Sequence, residues 1–290
     1  MASLNSKIEW TDRTWNCVKG CSLVSQGCKN CYAMRQAHRF HGPGQPYEGL
    51  TQIANGHPVW TGKVVCDESK LDEPLHWRKP CRVFVNSMSD LFQEDVPFEF
   101  IGEVLTIIGV AKQHTFQVLT KRPARMREFM ASHDCIGTYP PPNLWLGVSV
   151  EDQETADERI PLLLQTPAAV RWVSYEPALG PVNLAIPKGF VTTAEKGRIP
   201  DRYSALMEHT RLYDEGDLHW PKIDWVVVGG ESGPGARPMH PDWARSVRDQ
   251  CVAAGVPFFM KQMGGVRDKR GALESLPTDL QIREYPNASR

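Results

Sequence analysis

A chain of 290 residues with 41% hydrophobic content can bury a core as one large domain or two ordinary ones. Its formal net charge of −1 supplies no overall attraction to nucleic acid, so any such contact needs a local basic patch. No apolar run reaches the ~18 residues of a membrane span, and the opening segment lacks the basic-then-apolar pattern of a secretory leader, so a cytoplasmic chain with no membrane partner is expected.

The first informative stretch is WNCVKGCSLVSQGCKNCYA, which holds Cys17, Cys21, Cys28 and Cys31, half of the chain's 8 cysteines. In a reducing compartment clustered thiols are metal ligands more often than disulfides. Two metal readings stay open. Cys21, Cys28 and Cys31, spaced C-x6-C-x2-C and followed by Tyr32, would hold three irons of a 4Fe–4S cluster and leave the fourth iron for a small ligand. All four cysteines together would instead supply a structural zinc, although the gap between the two pairs is cramped. Cys66, Cys81, Cys135 and Cys251 are scattered and read as buried small hydrophobes. Trp10, Trp15 and Trp60 read as core, or as packing around the cluster or stacking on a base.

Residues 41–80 are rich in Gly, Pro and His and read as a loop-rich insertion after a first helix. Beyond them, short apolar runs at 83–85, 116–119, 144–148, 170–173, 225–228 and 256–260 read as strands buried on both faces. Helical spacing covers 98–112, 125–132, 154–164 and 242–254, the last ended by Gly255. This alternation predicts an α/β fold, a partial or complete β/α barrel of parallel strands, with chemistry at the C-terminal strand ends. Those ends carry Asp90, Lys121, Arg122, Glu151, Glu176, Glu231, Lys261 and Gln262. Residues 186–222 read as a second insertion, a lid or a partner surface. One domain over 1–266 is expected, followed by a tail over 267–290 with no core element.

Lys121, Glu176, Glu231 and Lys261 are the candidate catalytic residues. Lys121 and Arg122, with Arg125 and Arg127, form the densest basic patch, suited to a carboxylate or phosphate. The GGESGPGARP stretch permits close backbone approach to a ligand near Glu231, Arg237 and His240, but lacks the Lys and Ser/Thr of a P-loop.

The segments SKIEWTDRTWNCVKGCSLVSQGCKNCYA, VFVNSMSDLF, LTKRP, LGVSVE, SYEPALGP, DWVVVGGESGPGARP and FFMKQMGG resemble a phage and bacterial three-cysteine family of unassigned function, the DUF5131 type, over about residues 6–265. The cysteine loop is also similar to the radical S-adenosylmethionine signature, usually C-x3-C-x2-C followed by an aromatic. That resemblance implies a 4Fe–4S cluster on Cys21, Cys28 and Cys31. It further implies S-adenosylmethionine bound by Tyr32, Asn86, Ser87, Ser89, Asp90, Lys121, Arg122 and Glu176. One electron from an external donor would cleave the cofactor's C–S bond, and the 5′-deoxyadenosyl radical would take a hydrogen from substrate. The family's setting implies a nucleic acid or nucleotide substrate and a methyltransferase-like partner protein. The chain departs from the family at Cys17, where Pro is expected, and its Gly229-Gly230-Glu231 stands far from the second strand, where radical enzymes carry such a motif. Two alternatives are a non-catalytic binding module braced by zinc or an iron–sulfur cluster, and an iron–sulfur redox protein without S-adenosylmethionine. Convergence of Lys121, Glu176, Glu231 and Lys261 on one face would favour an enzyme.

Overall fold

The computed structural model describes residues 6–132, 140–187, 202–206, 209–211, 218–267 and 269–287. Seven strands build one wholly parallel sheet: β1 (Arg13–Trp15), β2 (Arg82–Val85), β3 (Thr115–Thr120), β4 (Leu144–Val150), β5 (Val170–Tyr175), β6 (Trp225–Gly229) and β7 (Phe258–Gln262). Each strand pairs with its neighbour in sequence, so the sheet never reverses direction and curls into a half-barrel. Helices fill the connections: α1 (Tyr32–His38) between β1 and β2, α2 (Phe98–Val110) before β3, α3 (Pro123–Ser132) before β4, α4 (Gln153–Leu164) before β5 and α5 (Pro241–Ala254) before β7. The expected partial β/α barrel is therefore the fold.

Period-two alternation sorts the strand residues between two cores. Val83, Val85, Phe116, Val118, Leu146, Val148, Val173 and Val228 face the helices in the larger one. Phe84, Trp145, Trp172, Trp225, Val227 and Phe259 face inward, where Trp10 joins them. The Trp10 ring lies 4.7 Å from Phe84 and 5.1 Å from Trp172, so an N-terminal segment plugs the half-barrel with aromatic surface. Gly147 makes room for this plug. A Cβ there would stand 2.5 Å from the Trp172 indole, too close for any side chain in the middle of β4. One or two positions further along the strands the inward residues become polar, and there the site begins.

The helix boundaries fall close to the predicted spans. Asp152 and Thr155 form a reciprocal capping box at the start of α4, and Gly255, at φ 65°, closes α5 in the left-handed conformation. β1 is missed by the apolar pattern, because three residues reading RTW acquire strand character only by pairing with β2.

The expected domain end at 266 is corrected. Leu276 and Leu280 are buried in the larger core. The backbone N–H of Met260 donates to Ile282 (2.8 Å) and that of Glu284 to Phe258 (3.0 Å), so the C-terminal segment runs beside β7. Tyr285 packs on Trp225 and Phe259, and the Arg82 guanidinium lies 4.0 Å over its ring. Tyr285 thus bridges from the last strands to the edge near β1. These apolar residues sit singly in a polar stretch, which is why no element was legible there.

Within 41–80 the structure has a hairpin, Thr51–Ala54 with His57–Trp60, and short 3-10 turns. Leu50 and Trp60 pack on Ala33, Met34 and Ala37 of α1. In the second insertion Ala185–Pro187 pairs with Arg202–Ser204 and His209–Arg211 with Leu218–Trp220, while Ala205 and Leu206 enter the larger core. The lid reading of 186–222 falls largely outside the described residues, as does Cys135.

Candidate functional site

A cavity of ≈ 240 Å³ opens at the C-terminal ends of the strands. Cys21, Cys28, Cys31 and Tyr32 line it from the β1–β2 connection, and Asn86, Ser87, Ser89 and Asp90 from the end of β2. Lys121 and Arg122 follow β3, Glu176 follows β5, Glu231 follows β6, and Lys261 lies in β7. The residues expected as metal ligands, cofactor contacts and catalytic groups thus line one cavity, whereas Glu151, Arg125, Arg127, Arg237 and His240 are not among its lining residues. Trp10, Phe84 and Leu119 are also in its wall, as is Trp60, whereas Trp15 is buried in the larger core.

The three cavity cysteines carry free thiols. Cys28 ends the 3-10 turn Gln26–Cys28, and Cys31 stands directly before α1. Burial pushes the Cys21 thiol up to about 12, with Asp90 adding to the shift and Arg122 opposing it. Burial also pushes Cys31 up, against the opposing backbone N–H groups of Met34 and Ala33. Such thiols stay neutral unless a bound cation supplies the missing charge. Among the described residues no group of three or more His, Cys, Asp or Glu side chains is gathered closely enough to hold a metal ion. The soft donor set fits an iron–sulfur cluster in chemistry, and binding one would require the three thiols to come closer together. Cys17 does not belong to the set. It is fully buried beside Trp15 and Val18, and its thiol donates to Asn86 Oδ1 at 3.6 Å.

Charged residues at the strand ends clamp the cysteine loop. Arg122 donates to Ser22 Oγ (2.6 Å), approaches Cys21 Sγ (3.9 Å) and pairs with Asp90 (3.1 Å) and Glu94 (2.9 Å). The Asp90 carboxylate accepts from Thr120 Oγ1, Arg122 and the backbone N–H groups of Phe92 and Lys121. Glu231 accepts from Asn30 (3.0 Å) and from Arg237 (2.6 and 2.9 Å), while Arg237 also donates to the Gln26 carbonyl (2.9 Å). Asp90 and Arg122, expected on the cofactor, and Glu231, expected in catalysis, therefore spend their bonding capacity on the protein and its cysteine loop. Arg125 donates to the Gln93 and Val96 carbonyls and Arg127 to Gln165, so neither extends the patch into the cavity.

A second group faces the cavity with fewer internal commitments. Lys261 Nζ lies 2.8 Å from Glu176 Oε1, and Ser174 Oγ donates to Glu176 Oε2 (3.2 Å). Lys121 Nζ stands 3.4 Å from Glu151 Oε1. Tyr32 donates to the Ser87 carbonyl (2.5 Å), Ser87 Oγ to Asn16 (3.1 Å) and Ser89 Oγ to the Val18 carbonyl (2.8 Å). Asn86, at φ 59°, accepts from the Val18 N–H (3.1 Å), and its Nδ2 is buried without a hydrogen-bond partner.

Sequence reasoning passed over Ser25 and Asn30 of the loop and Arg159 of α4, and gave Glu151 no role. The available signal was Glu151 directly after a strand with Arg159 two helical turns on.

Residues 5–285 match the family model described as "Protein of unknown function (DUF5131)". The chain belongs to the DUF5131 family. No curated protein and no solved structure matches it. The DUF5131 match runs through the segment beside β7, in keeping with that segment's place in the core. Among the described residues no helix of this DUF5131 chain is long and apolar enough to cross a membrane.

Proposed function

We propose that this DUF5131 protein is a radical S-adenosylmethionine-type enzyme, with a 4Fe–4S cluster on Cys21, Cys28 and Cys31. The observation that carries the reading is the position of three free thiols in one cavity with Lys121 and the Glu176–Lys261 pair, at the C-terminal mouth of a parallel half-barrel. When bound, the cluster would supply one electron for cleaving the C–S bond of S-adenosylmethionine.

The chain's own residues bind, orient and exclude water. The aromatic plug closes the cavity from below, so charges inside act in a medium of low dielectric. Glu151 is already held by Arg159, which leaves Lys121 as a surplus cation for an anionic group of the ligand. Lys261 and Glu176, one hydrogen bond apart, hold a proton that can be shared with a bound molecule. A nucleotide or nucleic acid is the proposed substrate class, with an external electron donor and a methyltransferase-like partner protein.

The metal-braced module has less support. Cys17 is buried in the larger core on Asn86 and is not in the cavity wall with the other three thiols, against a closed four-cysteine zinc site, and Arg122, Glu151 and Glu231 hold the loop through hydrogen bonds of the protein's own.

Anaerobic reconstitution with iron and sulfide, followed by reduction and addition of S-adenosylmethionine, tests the proposal. About four irons per chain and 5′-deoxyadenosine that disappears in Cys28→Ala are expected. Zinc without iron would refute the enzyme, and a cluster that never cleaves the cofactor would leave a redox protein.

A further inference from the structure

Glu151 is the most buried acid at the mouth. It and Arg159 have side chains 0% and 1% exposed, and Arg159 Nη1 reaches both carboxylate oxygens at 3.2 and 3.3 Å. The same guanidinium nitrogen donates to the Ser149 carbonyl (2.8 Å). The backbone around the carboxylate is fixed as well. The Glu151 N–H donates to Thr155 Oγ1 (2.9 Å) and its carbonyl accepts from Leu179 (2.8 Å). A buried ion pair contributes little net stability against well-packed apolar side chains, so its presence calls for another use.

That use lies in what else meets the carboxylate, besides Arg159 and the Lys121 ammonium at 3.4 Å. Ser25 Oγ donates to Glu151 Oε1 at 2.9 Å, across 126 residues of chain. Gly27 lies directly over the same oxygen: a Cβ on Gly27 would stand 2.4 Å from Oε1 and 2.6 Å from Cγ. Ser25 and Gly27 frame the turn that ends at Cys28, whose N–H donates to the Ser25 carbonyl (3.0 Å). The turn therefore rests on the carboxylate at two points, one polar and one steric. Cys21 has its own anchor in Arg122, and Cys31 in the first turn of α1.

We propose that Glu151, locked by Arg159, is the positioning residue that seats Cys28 in the cavity wall by fixing the Ser25–Cys28 turn. The seat is a property of the metal-free loop, and its value for a cluster rests on the function proposed above.

The test is the alkylation rate of each cysteine in the metal-free full chain, followed by peptide mass spectrometry with iodoacetamide as probe. Gly27→Ala drives a methyl group into the carboxylate yet keeps the Glu151–Arg159 pair. Ser25→Ala removes the polar contact alone. Both should raise Cys28 alkylation about tenfold, the signature of a local opening made easier by roughly 1.4 kcal/mol. Buried Cys251 should stay unreactive and thereby report an intact fold. In Gly27→Ala combined with Glu151→Ala the new methyl finds room, so the steric part of the effect should vanish relative to Glu151→Ala alone. Cys28 reactivity unchanged in Ser25→Ala with Cys251 protected would overturn the proposal, as would equal rises at Cys28 and Cys251 in both single variants. Iron uptake by the wild type is read separately. A protein that takes up no iron but shows the Cys28 effect keeps the seat and loses the proposed function, and the reverse result does the opposite.

Discussion

Replacing Arg122 gives the sharpest test of how the mouth is held together. Its guanidinium is 6% exposed, stands 3.1 Å from an Asp90 carboxylate that is 8% exposed, and donates to Ser22 on the cysteine loop. Arg122→Met would leave a buried carboxylate without its cation. Breaking such pairs costs about 3–5 kcal/mol. Asp90 keeps the Thr120 hydroxyl and two backbone N–H groups, which places the expected loss near the lower end, about 3 kcal/mol. Arg122→Lys keeps the charge but loses the fork to Glu94 and Ser22, and should cost about 1 kcal/mol. Urea unfolding of the metal-free protein, followed by circular dichroism, measures both. A Met variant within 1 kcal/mol of the wild type, or Lys and Met variants of equal stability, would refute the view that a desolvated Asp90 charge governs this corner.

Two further outcomes are expected. Burial acts to raise the Glu231 carboxyl, but Arg237 and Asn30 outweigh it and hold the group below its ordinary range, so its contribution is present above the unfolded value of about 4.3 and fades as pH falls through the folded one. The stability gap between wild type and Glu231→Gln should be about 1–2 kcal/mol at neutral pH and shrink on acidification; a gap constant down to pH ~3 would contradict the assignment. Leu280→Ala should cost about 2–4 kcal/mol, because the side chain is 0% exposed in the larger core; a loss under about 0.5 kcal/mol would return the segment to the status of a tail.

The apolar runs that became β2 to β7 were legible because strands buried on both faces need continuous Val, Ile, Trp and Phe, and nothing else in a polar chain resembles that. The cavity residues were legible for a related reason, since the chain leaves each strand at its C-terminal end and the next polar side chains must stand at the mouth. Their partners were not legible. Whether Asp90 meets a ligand or Arg122, or Glu231 meets substrate or Asn30, depends on pairings across 32 and 201 residues that only the assembled sheet fixes. Glu151 shows the limit best. On paper it was one acid among several, and its use follows from a glycine 124 positions earlier that has no side chain to announce the contact. Trp10 was legible as a core residue, and the structure places it there, but its role as the plug of the half-barrel was not.

The anchors of the cysteine loop come late in the chain. Ser25 waits for Glu151, Asn30 for Glu231, and Gln26 for Arg237, 211 residues on. At a synthesis rate of about 5–20 residues per second, the thiols emerge roughly 6–40 seconds before the groups that seat them exist. During that interval the cysteines are ordinary exposed thiols on an unfinished chain, open to oxidation. A truncated product ending before Glu151 would present the same cysteines without the seat.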